Sequence, residues 1–459
     1  MRGKFAITPS QWNPVAVAAA ILLAFAFLFG GASRLHELRL ALVELAALPL
    51  LVLSVFALVR AGELRQHPLA FGVMAATAVL PLFQLIPLPP TVWPGLPGRS
   101  EAALALDLAG LPMGWIPLSL TPDRTWQSFL ALLPPLAMFL APLAVGRMLG
   151  RPLVQVMLGF TLASIALGAA QLASGDTALY LWPTTDRGSV VGLFANRNHL
   201  ATLCLMAIPF AAVIGVAGLR RGAGRTHLWL ATVFIAVVVV AVGVVRSRAG
   251  IVLLLPVLAA TLLAAWVSSG RGRPRPLLLV IVGAMTAASV AVAVFSLDPI
   301  LARFERVGSP EGRFENWPVV ARAAEEFLPL GSGLGSFDTV YRSVEPVARL
   351  DATYFNQAHN EYLEIWLETG WVGVAALVAF LIWFARRSWS VWGARPSTTH
   401  DLQRAATVAI GAVLLHSAVD YPLRTETIAV LFALCCGLLE MGRRTRNGET
   451  EVEPQDASV

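Results

Sequence analysis

Runs of about twenty apolar residues recur along the whole chain, and no other feature constrains its fold as strongly. A helix crossing a hydrocarbon layer about 30 Å thick needs roughly 20 such residues, because each advances it by about 1.5 Å. Twelve segments qualify, near 14–31, 40–59, 69–88, 127–146, 153–173, 199–219, 227–245, 249–268, 277–296, 367–385, 404–421 and 426–441. The runs flanking Arg246–Gly250 count as two spans, since a fused one would be about twice the membrane thickness. Charged residues make up 14% of the 459, against about 25% in a soluble domain. The expected fold is therefore an all-α polytopic membrane protein of about 12 transmembrane helices, with residues 1–445 as one domain.

The ends of the chain and its loops set the expected topology. Met1–Pro14 is short and basic and no small-residue cleavage site follows it, so an uncleaved first helix is expected. Beyond Gly448 the chain turns polar and acidic, and 446–459 reads as a disordered cytoplasmic tail. All but Lys4 of the 34 basic residues are Arg, gathered between apolar runs rather than on one face. That distribution is a topology signal and argues against a nucleic-acid partner. Arg60/Arg65, Arg147/Arg151, Arg220/Arg221/Arg225, Arg271/Arg273/Arg275, Arg386/Arg387/Arg395/Arg404 and Arg443/Arg444/Arg446 fall on one side, with Arg34 and Arg39 as the exception opposite. The positive-inside rule then expects both termini in the cytoplasm and two long segments outside, 89–126 and 297–366. The second is a large polar loop between spans 9 and 10, and the first carries the interfacial stretch Trp115–Leu120. Cys204, Cys435 and Cys436 lie inside apolar runs and read as packing residues without a disulfide.

Five groups of unusual residues fall on the expected outer edge: Asn196-Arg197-Asn198-His199, Arg246-Ser247-Arg248, Arg313-Phe314-Glu315-Asn316-Trp317, His359-Asn360, and His416 to Tyr421. A charge at a membrane edge is costly and marks a site by default. Arg246 and Arg248 fit either headgroup snorkelling or the binding of an anion such as a lipid diphosphate, whose oxygens match the guanidinium fork. Arg313 fits either a third fork or a solvated loop charge. A neutral imidazole at His359 can take a proton from a sugar hydroxyl near neutral pH, or be structural. Asn360 fits a helix cap better than a sugar ligand. His416 and Asp420, four apart, share a helical face as a polar clamp or a second site. Arg197, Asn198 and His199 are candidates for sugar binding or for a plain loop end.

Competing motifs fail. Gly331-Ser332-Gly333-Leu334-Gly335 lacks the Gly-Lys-Ser/Thr ending of a phosphate loop and reads as a turn. Glu361, Glu364 and Glu368 have one His nearby, so no metal site is expected. Neither a Gly-x-Ser-x-Gly elbow nor an internal repeat of the transporter kind is present.

Gly331-x-Gly-x-Gly-x-Phe337, then His359-Asn360, Gly370 and Gly373, together resemble the O-antigen ligase and O-antigen polymerase superfamily. Leu193 to His199, Ser247-Arg248 and His416-Ser-x-Val-Asp420 strengthen the likeness, which covers most of 180–440. The resemblance implies a GT-C-type glycosyltransferase of the bacterial inner membrane, acting at the periplasmic face without a cofactor or required metal. It implies a donor glycan on undecaprenyl diphosphate, an acceptor that is another lipid-linked repeat unit or lipid A–core, and a flippase and chain-length regulator as associates. His359 matches the family's base, and Arg248 and Arg313 its diphosphate-holding arginines. The His416-to-Asp420 motif favours a polymerase. A ligase, a protein O-oligosaccharyltransferase and, from another class, a secondary transporter stand as alternatives.

Overall fold

The computed structural model describes residues 13–32, 37–175, 177–183, 188–222, 225–270, 283, 313–347 and 355–442. The expected span at 277–296, apart from Gly283, and the tail at 446–459 lie outside the described residues. Fifteen α-helices are assigned here: α1 (Pro14–Phe29), α2 (Glu37–Ala61), α3 (Pro68–Gln84), α4 (Ser100–Leu108), α5 (Pro122–Leu130), α6 (Leu133–Val145), α7 (Arg147–Ser174), α8 (Arg197–Arg220), α9 (Thr226–Val245), α10 (Arg248–Ser268), α11 (Arg313–Glu326), α12 (Phe337–Val344), α13 (Glu361–Trp392), α14 (Thr398–Ser417) and α15 (Glu426–Glu440). Among the described residues, seven apolar stretches are long enough to cross a membrane, with α5 and α6 together forming one of them. The chain is a mostly helical, multi-pass membrane protein. Apart from 277–296, each expected span coincides with a helix.

Helix starts follow from short polar side chains. Asn13, Asn196, Ser247, Asn360 and Ser397 each accept a backbone N–H from the first turn of the helix that follows, satisfying donors that lipid leaves without a partner. α8 is the central element, buried at almost every residue from His199 to Gly218, and it packs against α7, α9, α10 and α14. A second layer joins α15 to α6 and α14, and α2 to α1 and α6. Phe56, Trp229, Leu230, Val252, Leu255 and Trp371 point outward from the bundle, the apolar surface that a bilayer covers.

At one end of the bundle, ion pairs pin the helices together. Asp401 lies 2.7 Å from Arg220 and 3.2 Å from the fully buried Arg404. Glu440 meets His67 at 2.5 Å, Arg387 at 3.0 Å and the Trp383 indole at 2.8 Å. Arg404, counted above among loop charges, is thus a helix residue that binds this end together.

The opposite end carries a small second core. Val320 and Ala324 of α11 and Phe327 just beyond it pack with Phe337, Val340 and Tyr341 of α12, and with Ala358 and Leu367. Segment 85–121 is more structured than a loop, since β1 (Pro87–Leu88) pairs antiparallel with β2 (Ile116–Pro117) and α4 lies between them. Gln84 ties this segment down, donating to the Glu368 carbonyl and accepting from Leu334 N–H. Buried Arg99 donates to the carbonyls of Leu118 and Gly331, and burial draws its guanidinium down to about 10.

Gly331–Gly335 is a turn without phosphate-loop character. A Cβ at Gly331 would meet the Glu368 carbonyl at 2.5 Å, and one at Gly333 would meet Ser119 Oγ at 2.1 Å. Gly331 is therefore where backbone passes backbone, and Gly333 where the chain passes the Ser119 side chain.

Candidate active site

The site grows from the starts of α8, α10 and α13 and the end of α14, all at the end of the bundle that holds the second core. Asn198, in the first turn of α8, donates through Nδ2 to Asp420 Oδ2 at 2.5 Å. One turn on, the Thr202 hydroxyl donates to the Asn198 carbonyl at 2.9 Å and lies 2.8 Å from His416 Nδ1. With its only hydrogen committed, that hydroxyl accepts from His416, so the proton sits on Nδ1. His199 Nδ1 is 2.8 Å from Thr425 Oγ1. These bonds stitch α8 to the turn at 418–425. α14 ends at Ser417, yet Asp420 N–H still donates to the His416 carbonyl at 3.0 Å, and both side chains reach across to α8, so the two face the same way as their spacing expects.

His359 stands in the loop just before α13 with φ +52°, a left-handed conformation that a residue with a Cβ adopts at a cost. Its Nδ1 lies 3.0 Å from the Gln357 carbonyl. A carbonyl only accepts, so Nδ1 carries the hydrogen and Nε2 is left as the basic nitrogen. The Tyr421 ring packs edge-on against the imidazole at 4.8 Å and against His199 at 5.6 Å, joining the two histidines through one aromatic face. Asn360 caps α13, accepting from Tyr362 and Leu363 N–H.

The arginines arrive from three directions. Gly250 allows the first turn of α10 to press on α8, since a Cβ there would lie 2.7 Å from that of Ala201. Arg248, half-buried, therefore starts its helix beside the first turn of α8. Arg246 is exposed and ends α9 at φ +54°. Arg197 reaches Ser189 Oγ at 3.5 Å. Arg313 begins α11, and its side chain lies outside the described residues. Its helix is nonetheless fixed to the site, because Trp317 Nε1 donates to the Ala358 carbonyl at 3.0 Å, one residue before His359.

Sequence reasoning passed over Arg424. Its guanidinium lies 2.8 Å from both Glu364 and Glu368, while Glu361 accepts from Leu423 N–H at 2.8 Å. The spacing of the three carboxylates, i, i+3 and i+7 on one helical face, was visible, but their partner sits some sixty residues away. Beside this cluster a cavity of about 420 Å³ runs between α3, α6, α13 and α15. Leu80, Leu132, Ile365, Phe380 and Phe432 are among its walls and Glu361, Arg424 and Glu426 stand at its polar end, a lining that accepts a hydrocarbon chain. Among the described residues, no three His, Cys, Asp or Glu side chains gather as a metal-ligand set.

No curated protein matches the chain. Residues 240–378, which span Arg246, Arg248, Arg313, His359 and the start of α13, match the family model described as O-antigen ligase. That match covers less than half of the chain and, with the membrane helices and the motif order on either side, supports its likeness to the O-antigen ligase and polymerase superfamily.

Proposed function

We propose that the chain transfers a glycan from undecaprenyl diphosphate to an acceptor hydroxyl at the periplasmic face of a bacterial inner membrane, as a GT-C-type enzyme of about 12 spans without a cofactor or metal. The observation that carries this reading is the tautomer of His359, whose Nδ1–H is committed to Gln357 and whose Nε2 is the basic nitrogen, in a segment that matches O-antigen ligase.

The chemistry then runs as a single displacement. Nε2 of His359 takes the proton from the acceptor O–H as that oxygen bonds to the anomeric carbon. The bond from that carbon to the diphosphate oxygen breaks, and the lipid diphosphate leaves with the electron pair. Arg248 and Arg313 stabilise the charge it gains, and attack opposite the leaving group inverts the anomeric centre. Preorganised donors of this kind contribute about 3–4 kcal/mol each, about 10²–10³ in rate. Arg246, Arg197, Asn198 and Asn360 form the surrounding wall that meets donor and acceptor sugars, and the buried His199, His416 and Asp420 brace it from behind.

Two acceptors fit. The His416-to-Asp420 motif favours a second lipid-linked repeat unit, hence a polymerase, whereas the description of the matched family favours lipid A–core, hence a ligase. Deletion of the gene separates them. Loss of the chain-length ladder marks a polymerase, and intact lipid-linked polymer that never reaches lipid A–core marks a ligase. His359→Ala, expressed at wild-type level in the deletion strain, is expected to cut transfer about 10²–10⁴-fold and leave a small residual rate. Undiminished glycan product in that strain removes His359 from the mechanism.

A further inference from the structure

The 355–360 loop and the 418–425 turn come from segments sixty residues apart, yet His359 depends on both. Glu364 divides its carboxylate between them: Oε1 accepts from Ala358 N–H at 2.6 Å and Oε2 faces Arg424 at 2.8 Å. Arg424 also grips Glu368, which in turn accepts from Phe337 N–H at 3.2 Å, where α12 begins. Three residues before Arg424, Tyr421 lays its ring against His359. Ala358 with the His359 it precedes, Glu364, Arg424 and Tyr421 thus form a closed circuit that returns to the imidazole.

We propose that Arg424, acting through Glu364, is a positioning residue that holds the His359 imidazole against Tyr421 in the orientation proton abstraction needs. The proposal rests on the reading of His359 as the base. A left-handed His is the kind of backbone that persists only where its surroundings over-determine it. The surroundings here are two side-chain anchors on Ala358, Trp317 on its carbonyl and Glu364 on its N–H. Glu364 and Glu368 are almost fully buried, so their pairing with a guanidinium is screened little. Burial alone would lower the Arg424 guanidinium, but Glu368 and Glu364 outweigh it and hold the group above its ordinary value. A lysine at 424 would carry the charge without the planar fork that spans two carboxylates.

The test uses the full chain in lipid nanodiscs, with undecaprenyl-diphosphate-linked repeat units extracted from the deletion strain as donor and acceptor. Arg424→Gln is expected to lower kcat about 10–100-fold with KM within about twofold, since displacement of a catalytic group by about 1 Å costs on the order of 10². Arg424→Lys is expected to recover part of that loss and to elute as the wild type does, so it stands as the test if Arg424→Gln fails to fold. In a His359→Ala background, Arg424→Gln should change the residual rate less than about twofold, because a residue acting through the imidazole has nothing left to position. An undiminished multiplicative loss in that background overturns the proposal, as does a change confined to KM or a wild-type kcat in Arg424→Lys. A fully active His359→Ala protein instead sinks the base reading, and the positioning role with it.

Discussion

Gly370→Ala tests the packing that brings α13 to the site. Gly370 interrupts the helix with φ +56° and ψ −147°, a region that only glycine occupies without strain of about 1–3 kcal/mol. Its Cβ would lie 2.2 Å from the Pro329 carbonyl oxygen, 2.6 Å from that carbon and 2.8 Å from Gly331 N. All three atoms are backbone, so no rotamer change relieves the clash. The two segments are also cross-linked, Trp371 N–H to Pro329 O, Ser332 N–H to Leu367 O and Gly333 N–H to Glu368 O, each at 2.9 Å. Overpacking of this kind costs about 1–3 kcal/mol, which with the strain gives a loss of about 2–6 kcal/mol. The assay is thermal unfolding in detergent by intrinsic tryptophan fluorescence, with a fall of about 2–6 °C expected. Gly411→Ala in the interior of α14, where nothing lies within 4 Å of the added carbon, serves as the control and should be neutral or stabilising by up to about 1 kcal/mol. A Gly370→Ala protein that melts with the wild type would show that this crossing does not hold the end of α13 in place.

Asp401→Asn removes the carboxylate that faces both Arg220 and the fully buried Arg404. Breaking a buried pair from one side costs about 3–5 kcal/mol, so the melting temperature should fall steeply while the donor KM stays put; an unchanged melting temperature refutes a structural role for the cluster. Trp317→Phe removes the indole N–H that reaches the Ala358 carbonyl and keeps an aromatic ring beside Phe314. A stability cost of about 1 kcal/mol with a fall in kcat is expected, and an unaltered kcat in the same nanodisc assay would separate α11 from the placement of His359.

Hydropathy made the membrane helices legible because burial in lipid demands the same thing of every span, a long apolar run that satisfies its own backbone. Short polar residues marked their starts, as at Asn196, Ser247 and Asn360. The grouping of His359, His199, Asn198, His416 and Asp420 at one end could be anticipated, since spans alternate direction and each residue's distance from a helix end is readable. Contacts made between those ends could not be. Tyr421 looked like part of a motif and is the ring between two histidines. Arg424 looked like one more arginine in a chain rich in them, and its value depends on carboxylates sixty residues earlier. The helix at 122 begins within what the sequence marked as loop, because Pro122 at its first turn and the polar stretch to Ser128 hide its helical character from a hydropathy window.

The two ends of the bundle use buried charge differently, and the contrast bears on function. At the Asp401 and Glu440 end each carboxylate is flanked by two basic side chains, and the groups close on one another. Such clusters add little beyond what well-packed apolar residues would give, but they fix which helix meets which. At the His359 end two carboxylates share Arg424 while a third accepts from Leu423 N–H, two histidines converge on one tyrosine, and a non-glycine residue is held in a left-handed turn. Each of these departures costs stability, and none is required to join two helices, since the first turns of α8 and α10 already meet through Gly250 and Ala201. Polar groups that are costly and unnecessary for packing persist where they act on something else. At this end, the carboxylates and Arg424 act on the peptide that carries His359.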